Sequence, residues 1–370
     1  MPLAVIHDYL NQLGGAEKTL NVFLRIAPSA TVYTSVARHD VVRACVPPAV
    51  SVKPSFLQRL PLAVTHTRLY LPLLPVAFEW MNLREHDLVV SISSAFAKGV
   101  RAPEGVAHLC YCQTPMRFAW NLDGYMRYEQ VSSATKAVVR LLMVRFREWD
   151  IRSSQRVTEF VAISRTVQER IRQFYGRESR IIYPPVDTPI YRPVPPEEKG
   201  DYYLVLSRLL PYKRIDVAIE ACNRLHLPLV VAGEGRDAPR LRRLAGPTVH
   251  FAGRVADEEA IRLLARARAL ILTAEEDFGL TPVEAMASGT PVIAYRAGGA
   301  TETVIQGETG MFFDRQEPES LMEALLRYHP SDYDPLRCIE RAKLFDTSRF
   351  FSAWRHLLVE YGYRVHAEAA

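Results

Sequence analysis

The chain has 370 residues, of which 48% are hydrophobic and 24% charged, and its formal net charge is +5. This length predicts two domains with cores large enough to fold without disulfides or metals. The small basic excess suits a phosphate-bearing ligand or an anionic membrane surface, but it is too weak to indicate a nucleic-acid-binding protein.

The five cysteines are odd in number and scattered, which argues against a disulfide framework. Cys110 and Cys112 lack a second Cys/His pair at zinc-site spacing, so we expect them to be small core residues. Met1-Pro2-Leu3 enters a short strand rather than a signal peptide, and no apolar run approaches the ~20 residues of a membrane span. We therefore expect a cytoplasmic protein.

The first half alternates predicted strands with helices. A strand at 3–6 is followed by Gly14-Gly15 and then by a helix with apolar residues at helical spacing. Gly14 and Gly15 therefore begin a helix where an anion can bind. His7 and Asp8 end the first strand, and we expect them on the acceptor side of a site rather than in the core. Further strands are predicted at 88–92, 107–111 and 160–164.

A proline-rich stretch at 183–196 predicts a linker, because proline interrupts both helices and sheet ladders. Beyond it the strand–helix alternation is clearer. Strands are predicted at 203–206, 229–232, 249–251, 269–272 and 291–294. Such alternation predicts a parallel sheet covered on both faces, with ligands beyond the carboxyl ends of its strands.

The strand at 269–272 leads into a loop and then a helix. Thr281 is predicted to be the helix N-cap, with Pro282 at the first helical position and Glu284 at the third, which makes a capping box. In that interpretation Glu284 merely caps its own helix.

A functional interpretation of the same segment is also open. The amides of Gly279, Leu280 and Thr281 lie at a helix N-terminus, which suits a diphosphate. Glu284 can accept hydrogen bonds from two ribose hydroxyls, and Glu276, eight residues earlier, lies in the loop where a sugar would bind.

Three other strand ends carry candidate donor-site residues. Arg208 and Lys213 follow the strand at 203–206, and two fixed cations there would stabilise a leaving diphosphate without a metal. Glycine turns at 233–235 and 253, the latter followed by Arg254 and Val255, would bring backbone near a planar base. A solvated basic turn and ordinary glycine turns are the structural alternatives.

With these residues, the chain resembles the retaining glycosyltransferases of family four, which have the GT-B fold. The most specific element is Glu276 and Glu284 with Phe278-Gly279-Leu280 between them. The first half also resembles a bacterial subgroup, often mannosyltransferases, that builds O-antigen and exopolysaccharide. The residues are His7-Asp8-Tyr9-Leu10, Leu71-Pro72-Leu73-Leu74-Pro75 and Gln113-Thr114-Pro115-Met116-Arg117-Phe118-Ala119-Trp120.

The resemblance implies an α/β protein with two Rossmann-like domains whose parallel sheets face a deep interdomain cleft. It assigns 1–187 with 346–370 to the N-terminal acceptor-side domain and 188–345 to the nucleotide-sugar domain. The donor is implied to be a nucleotide sugar, with mannose from GDP-mannose favoured and a UDP sugar as the alternative. The acceptor is a polysaccharide or lipid-linked glycan.

The resemblance also implies roles for residues. Glu276 contacts the transferred hexose, and Glu284 holds the ribose. The remaining donor-binding residues are Gly15, Arg208, Lys213, Arg254, Val255, Gly279, Leu280 and Thr281. No cofactor or metal is expected. Gln113 stands where relatives commonly have a histidine that contacts the hexose, and glutamine cannot carry a positive charge.

Three alternatives stay open at this point. A sugar-nucleotide epimerase shares the two-domain fold, and an inactive binding protein is favoured only by Gln113. Residues 136–147 mix arginines with large apolar residues, so this helix either presents an ordinary basic face or touches the inner membrane peripherally.

Overall fold

In a computed structural model, residues 1–122 and 133–364 are described, and for helix residues 133–138 only the backbone is. The chain divides into two compact units, Met1–Pro185 with Ser348–Ala370, and Val186–Thr347. Each unit contains one parallel sheet. The prediction of an α/β protein with two Rossmann-like domains is confirmed.

The first unit is built on a seven-stranded sheet. Its strands are β1 Leu3–His7, β2 Thr31–Thr34, β3 Ser51–Pro54, β4 Leu88–Ser93, β5 Ala107–Cys112, β6 Glu159–Ala162 and β7 Ser179–Ile181. They are parallel in the order β3-β2-β1-β4-β5-β6-β7. The central strands β1 and β4 are buried along their whole length, as expected for a sheet covered on both faces.

Six helices connect these strands in the described residues. They are α1 Gly15–Ile26, α2 His39–Cys45, α3 Leu74–Glu79, α4 Arg117–Trp120, α5 Ser133–Ser154 and α6 Arg165–Tyr175. Short 3-10 turns lie at Phe56–Arg59, Thr67–Leu73 and Ala97–Gly99. In α1 the apolar residues Leu20, Phe23 and Leu24 are fully buried, as their helical spacing predicts.

The second unit contains a six-stranded sheet. Its strands are β8 Tyr203–Leu206, β9 Leu229–Ala232, β10 Val249–Gly253, β11 Ala269–Leu272, β12 Val292–Tyr295 and β13 Gly310–Phe313. They are parallel in the order β10-β9-β8-β11-β12-β13. Its helices are α7 Ile215–Leu225, α8 Ala238–Leu244, α9 Asp257–Arg266, α10 Leu280–Ala287, α11 Ala300–Thr303, α12 Pro318–Arg327 and α13 Pro335–Ala342.

The closing helix, α14 Thr347–Glu360, returns the chain to the first unit. Its Trp354 is completely buried, with ring centroids 4.9 Å from Phe23 of α1 and 5.3 Å from Tyr111 of β5. Both pairs are edge-to-face, the geometry that aromatic quadrupoles favour.

All five cysteines are buried and unpaired. Burial is the main cause that raises the pKa of Cys45 to about 11, and of Cys222 and Cys338 to about 12. They therefore behave as small apolar side chains. Among the described residues, none of the helices has both the length and the apolar character needed to cross a bilayer.

The core of the first unit contains a buried ion pair between Lys98 and Asp150. The Lys98 ammonium also donates to the carbonyl of Ala95, over 2.8 Å. The second carboxylate oxygen of Asp150 accepts from Trp120 Nε1 at 2.7 Å and from the Tyr175 hydroxyl at 2.8 Å. Both charges are thus compensated inside the protein, the condition under which a buried pair is tolerated.

Removing one partner of this pair is expected to destabilise the fold strongly. Lys98→Met leaves the Asp150 carboxylate buried without its cation, so the free energy of unfolding should fall by about 3–5 kcal/mol. Urea denaturation measures this loss. Arg38→Met, which breaks the exposed pair with Asp40, is the control and should cause no measurable change. Similar stabilities for the two variants would contradict this account.

Candidate functional site

The sequence-predicted donor residues lie along the carboxyl edge of the second sheet. Arg254 follows β10, Gly233 follows β9, Arg208 follows β8 and Glu276 follows β11. These four strands are consecutive neighbours, and parallel strands lie about 4.8 Å apart, so the row spans about 14 Å. The edge can therefore accommodate an extended ligand with several different groups.

The structure brings Lys213 and Glu276 together as a part-buried ion pair. The backbone beneath this pair is held by side chains. Thr273 Oγ1 donates to the Lys213 carbonyl at 2.7 Å, and Gln316 Nε2 donates to the Thr273 carbonyl at 2.7 Å. The backbone of Lys213 and of the end of β11 is therefore held by hydrogen bonds from side chains. Sequence reasoning missed Thr273 and Gln316, which carry no recognisable motif.

The loop that carries Glu276 is held by the glycine turn after β12. The amide of Gly299 donates to the Glu276 carbonyl at 2.8 Å. A Cβ atom at Gly299 would lie 2.3 Å from Phe278 Cα, and one at Gly298 would lie 2.1 Å from the Glu276 carbonyl oxygen. Only glycine permits this approach, so this turn fixes the position of the loop.

Helix α10 begins two residues earlier than predicted. Its N-cap is Gly279, with φ 87° and no side-chain cap, and the helix runs from Leu280 to Ala287. The prediction that Thr281 is the N-cap of a capping box with Glu284 is therefore wrong, because the left-handed Gly279 turns the chain into the helix. Thr281 instead lines, with Lys213, a small pocket at the ends of β8 and β11.

Glu284 contacts a residue from the proline-rich stretch before β8. The Tyr191 hydroxyl hydrogen-bonds the Glu284 carboxylate. Burial, the negative charge of Glu284 and this hydrogen bond, in that order, raise the pKa of Tyr191 well above its ordinary value. The 3-10 turn Thr188–Ile190 just before Tyr191 contacts α10. Sequence reasoning treated this stretch only as a linker and missed Tyr191.

The glycine turn after β9 packs against the turn after β8. A Cβ at Gly233 would lie 1.9 Å from the Ser207 carbonyl oxygen, and one at Gly235 would lie 2.1 Å from that of Leu209. Arg208, between these two residues, is exposed, as is Arg254, whereas Val255 is half-buried. In the part of the chain that the structure describes, no hydrogen bond or ion pair joins Arg208, Arg254 or Val255 to Lys213 or Glu276.

In the first unit, Gly14 is the N-cap of α1 and Gly15 is its first residue. His7 and Glu17 lie beneath this helix start, both buried, with Nε2 of His7 3.2 Å from Oε1 of Glu17. A Cβ at Gly14 would approach Oε2 of Glu17 to 3.2 Å. His7 is therefore a buried partner of Glu17, and its acceptor-side role stays a prediction.

The Asp8 carboxylate is held by hydrogen bonds within the first unit, and its acceptor-side role stays a prediction. Its carboxylate is buried and accepts five hydrogen bonds of 2.6–3.0 Å from the segment after β4. The donors are the amides of Ser94, Ala95, Phe96 and Ala97 and the hydroxyl of Ser94. With both oxygens already occupied, the side chain serves to shape residues 94–97.

Gln113 follows β5 directly, and its amide donates to the Ser93 carbonyl at 2.8 Å. It is half-buried. His108, on the same strand, is fully buried with Nε2 2.8 Å from Ser91 Oγ. Burial, reinforced by Arg156 and Lys98, lowers the pKa of His108 to about 3. This histidine is therefore neutral at ordinary pH.

No group of three or more His, Cys, Asp or Glu side chains suited to a metal ion occurs in the described part of the chain.

Residues 187–345, nearly all of the second unit, match the family model Glycosyl transferases group 1. Over 212 residues the chain is 31% identical to a D-inositol 3-phosphate glycosyltransferase of Nocardioides sp., covering 48% of this chain and 45% of the relative. It is also 31% identical over 205 residues to a GDP-mannose-dependent monoacylated alpha-(1-6)-phosphatidylinositol monomannoside mannosyltransferase of Corynebacterium glutamicum, covering 47% and 53%. The chain thus spans about half the length of these relatives.

Solved structures resemble almost the whole chain. Sucrose-phosphate synthase from Thermosynechococcus elongatus has a TM-score of 0.73 at 18% identity, covering 97% of this chain and 98% of that one. Anabaena HepE, solved with UDP and glucose, has a TM-score of 0.70 at 18% identity, covering 96% and 99%. At this identity the likeness shows the fold.

The structural position of Asp8 can be tested by stability. In Asp8→Ala, the donors of residues 94–97 lose their acceptor, and each buried unpaired group costs about 1–3 kcal/mol. We expect the free energy of unfolding in urea to fall by roughly 3 kcal/mol or more. Asp40→Ala, at an exposed site, should leave it unchanged. A variant of native stability that had lost only activity would contradict this structural role and support the acceptor-side role.

Proposed function

We propose that this protein is a retaining hexosyltransferase that moves mannose from GDP-mannose to a polysaccharide or lipid-linked oligosaccharide. The observation that carries the proposal is the meeting of Lys213 and Glu276 beside the pocket that Thr281 of helix α10 lines. The family model covers these residues, and one relative is named as a GDP-mannose-dependent mannosyltransferase.

The proposed chemistry depends on an exchange of partners at Lys213. In the structure, its ammonium pairs with the Glu276 carboxylate. A donor diphosphate carries more negative charge than one carboxylate and competes for the same ammonium. Once displaced, the Glu276 carboxylate is available to accept hydrogen bonds from hexose hydroxyls. Diphosphate binding thereby prepares the group that orients the sugar.

The remaining donor contacts follow the order of the strands. Arg208, after β8 like Lys213, adds a second cation for the charge that develops on the leaving diphosphate. Leu280 and Thr281 offer amides at the start of α10. Glu284 binds the ribose. The turn at Arg254 and Val255, at the β10 end of the row of strands, contacts the base. For Gly15 and Gln113, which belong to the first unit, the roles in donor binding and in contacting the hexose stay predictions.

The proposed reaction retains the anomeric configuration. The bond from the anomeric carbon to the diphosphate oxygen breaks, and a bond to the acceptor oxygen forms on the same face. A phosphate oxygen takes the acceptor's hydroxyl proton, so the nucleoside diphosphate leaves as the proton carrier. Cationic side chains supply the stabilisation for which other transferases use a metal ion. We therefore propose that the reaction requires no metal ion.

A UDP sugar is the second candidate donor. Anabaena HepE, which shares the fold, was solved with UDP and glucose. Calorimetric titration with GDP and UDP separately decides between the two bases. An epimerase would instead show a new sugar nucleotide by NMR when incubated with donor alone, and an inactive binding protein would release no nucleoside diphosphate from it.

We also propose peripheral contact with an anionic membrane through helix α5. In its described part, Leu141 and Val144 are exposed next to Arg140 and Arg145, while Phe146 is buried on the opposite face. The predicted stretch 136–147 begins with residues 136–138, whose side chains lie outside the described set. Lipid-linked acceptors would make such a contact useful.

The exchange at Lys213 predicts opposite effects on chemistry and binding in Glu276→Gln. Donor turnover, measured as nucleoside diphosphate release, should fall by about 100-fold because the hexose loses its charged partner. The affinity for GDP should rise by about threefold to tenfold, or about 0.7–1.4 kcal/mol, because no carboxylate competes for the ammonium.

Glu275→Gln is the matched control, since it removes the same charge from an exposed neighbouring position. It should leave both quantities near the wild-type values. Weaker GDP binding in Glu276→Gln would contradict the exchange, and unchanged donor turnover would contradict the proposed role of Glu276.

The Tyr191–Glu284 contact predicts a ribose-specific effect. Tyr191→Phe removes one hydrogen bond that orients the carboxylate, so GDP affinity should fall by about fivefold to tenfold. The affinity for 2′,3′-dideoxy-GDP, which has no hydroxyls for Glu284, should stay unchanged. Tyr202→Phe, which removes a hydroxyl bonded to the Leu263 carbonyl elsewhere in the unit, is the control. Equal losses for both nucleotides would show that Tyr191 is only structural.

A further inference from the structure

The segment from Phe56 to Trp80 in the first unit has one buried and one exposed side. Its buried residues, Leu57, Ala63, Leu74, Ala77 and Phe78, join the core of the unit. Its exposed side carries Phe56, Leu62, Leu69, Leu73 and Trp80. The most exposed are Leu62 at 62%, Leu69 at 67% and Trp80 at 75%. So many large apolar side chains within 25 residues indicate an interaction surface.

Local contacts hold the backbone of this exposed side in place. The rings of Phe56 and Trp80 lie 5.9 Å apart, although the residues are at opposite ends of the segment. The Tyr70 hydroxyl donates to the Pro61 carbonyl at 2.7 Å, which links the residues next to Leu62 and Leu69. The amide of His66 donates to the Leu62 carbonyl at 2.7 Å and closes the turn that follows Leu62. The positions at which these apolar residues leave the backbone are therefore set by the fold.

Leu62 has a left-handed backbone, with φ 57°. A leucine rarely adopts this conformation, because its Cβ crowds the carbonyl oxygen, and glycine would avoid the strain. Its side chain gains no burial in return, since it projects into solvent. Strain of this kind that the core does not explain suggests a role outside the fold.

The exposed charged residues of the segment are all positive. Arg59 and Arg68 are exposed. The single acidic residue, Glu79, is held by Arg101 at 2.6 Å, by Arg156 at 3.1 Å and by Trp149 Nε1 at 2.8 Å. Its charge is therefore neutralised within the unit, and the surface facing outward is apolar with positive charges.

We propose that the segment 56–80 docks on an anionic lipid surface, with Leu62, Leu69 and Trp80 entering the headgroup region and Arg59 and Arg68 meeting lipid phosphates. Leucine and tryptophan flanked by arginine form the composition that binds at such interfaces. This surface is separate in sequence from the exposed part of α5, and its lipid binding does not depend on donor chemistry.

Sedimentation of the full chain with lipid vesicles tests the proposal. Vesicles of phosphatidylcholine with phosphatidylglycerol should bind the protein at least about tenfold more tightly than pure phosphatidylcholine, with an advantage that shrinks at high salt. Arg59→Gln with Arg68→Gln should remove most of that advantage. Leu62→Ser, Leu69→Ser and Trp80→Ser together should reduce binding to both lipids by about tenfold or more.

A matched variant distinguishes vesicle binding by this surface from nonspecific adsorption through any exposed apolar residue. Leu336→Ser removes a leucine of the second unit that is 65% exposed. It should leave vesicle binding near the wild-type value. Leu62→Gly should raise the thermal unfolding midpoint by relieving the backbone while weakening vesicle binding, a combination that a purely structural leucine would not give.

Three results would overturn the proposal. One is unchanged vesicle binding in the triple serine variant, and another is equal binding to neutral and anionic vesicles at low salt. The third is self-association of the wild type in light scattering that the triple variant abolishes, which would make the segment a contact between copies of this chain. None of these results would alter the GDP titrations, so the proposed donor chemistry is judged separately.

Discussion

The carbonyl oxygen of Glu276 accepts a hydrogen bond from the amide of Gly299, and the arrangement of the whole edge depends on how closely these two backbones approach. Because residues 298 and 299 have no Cβ, the loop after β11 can lie directly on the turn after β12. Glu276 then projects toward β8, where the Lys213 backbone is held by Thr273. A side chain at position 299 would push Phe278 away and carry the carboxylate with it.

In the first unit, a charged side chain rather than a glycine holds two neighbouring backbone segments close together. Asp8 ends β1, and its two oxygens collect the amides of the segment that follows β4. That segment continues into Lys98, whose ammonium is compensated by Asp150. Two buried carboxylates therefore hold the single segment that follows β4. A carboxylate suits this task because it accepts several hydrogen bonds at once.

Much of this architecture could be predicted from the sequence. Repeated buried strands and amphipathic helices gave the fold class, and the central strands β1, β4, β8 and β11 were found because they read as continuous apolar runs. The strands missed were β2, β3, β7 and β13, which are three or four residues long. Strands β8 and β11 are equally short but wholly apolar or aromatic. Polar residues interrupt β2, β3 and β7, so these runs lack the continuous apolar pattern of a buried strand.

Contacts between distant parts of the chain were beyond sequence reasoning. Residue spacing suggested a capping box for Thr281 and Glu284, but Gly279 adopts a left-handed backbone that moves the helix start. Tyr191 lies 93 residues before Glu284 in a proline-rich stretch, and Gln316 lies 43 residues after Thr273. The sequence indicated that Asp8 ends its strand. The five hydrogen bonds to its carboxylate could not be predicted, because they depend on the pairing of β1 with β4.

The complete burial of the cysteines has a practical consequence. Thiols that are enclosed and held in the protonated form react slowly with maleimide dyes. The native cysteines should therefore take up little dye, and they need not be removed before a new cysteine is introduced for labelling. One new cysteine on each unit would accept a fluorophore pair, and energy transfer between the dyes would report the separation of the two units as a nucleotide is added.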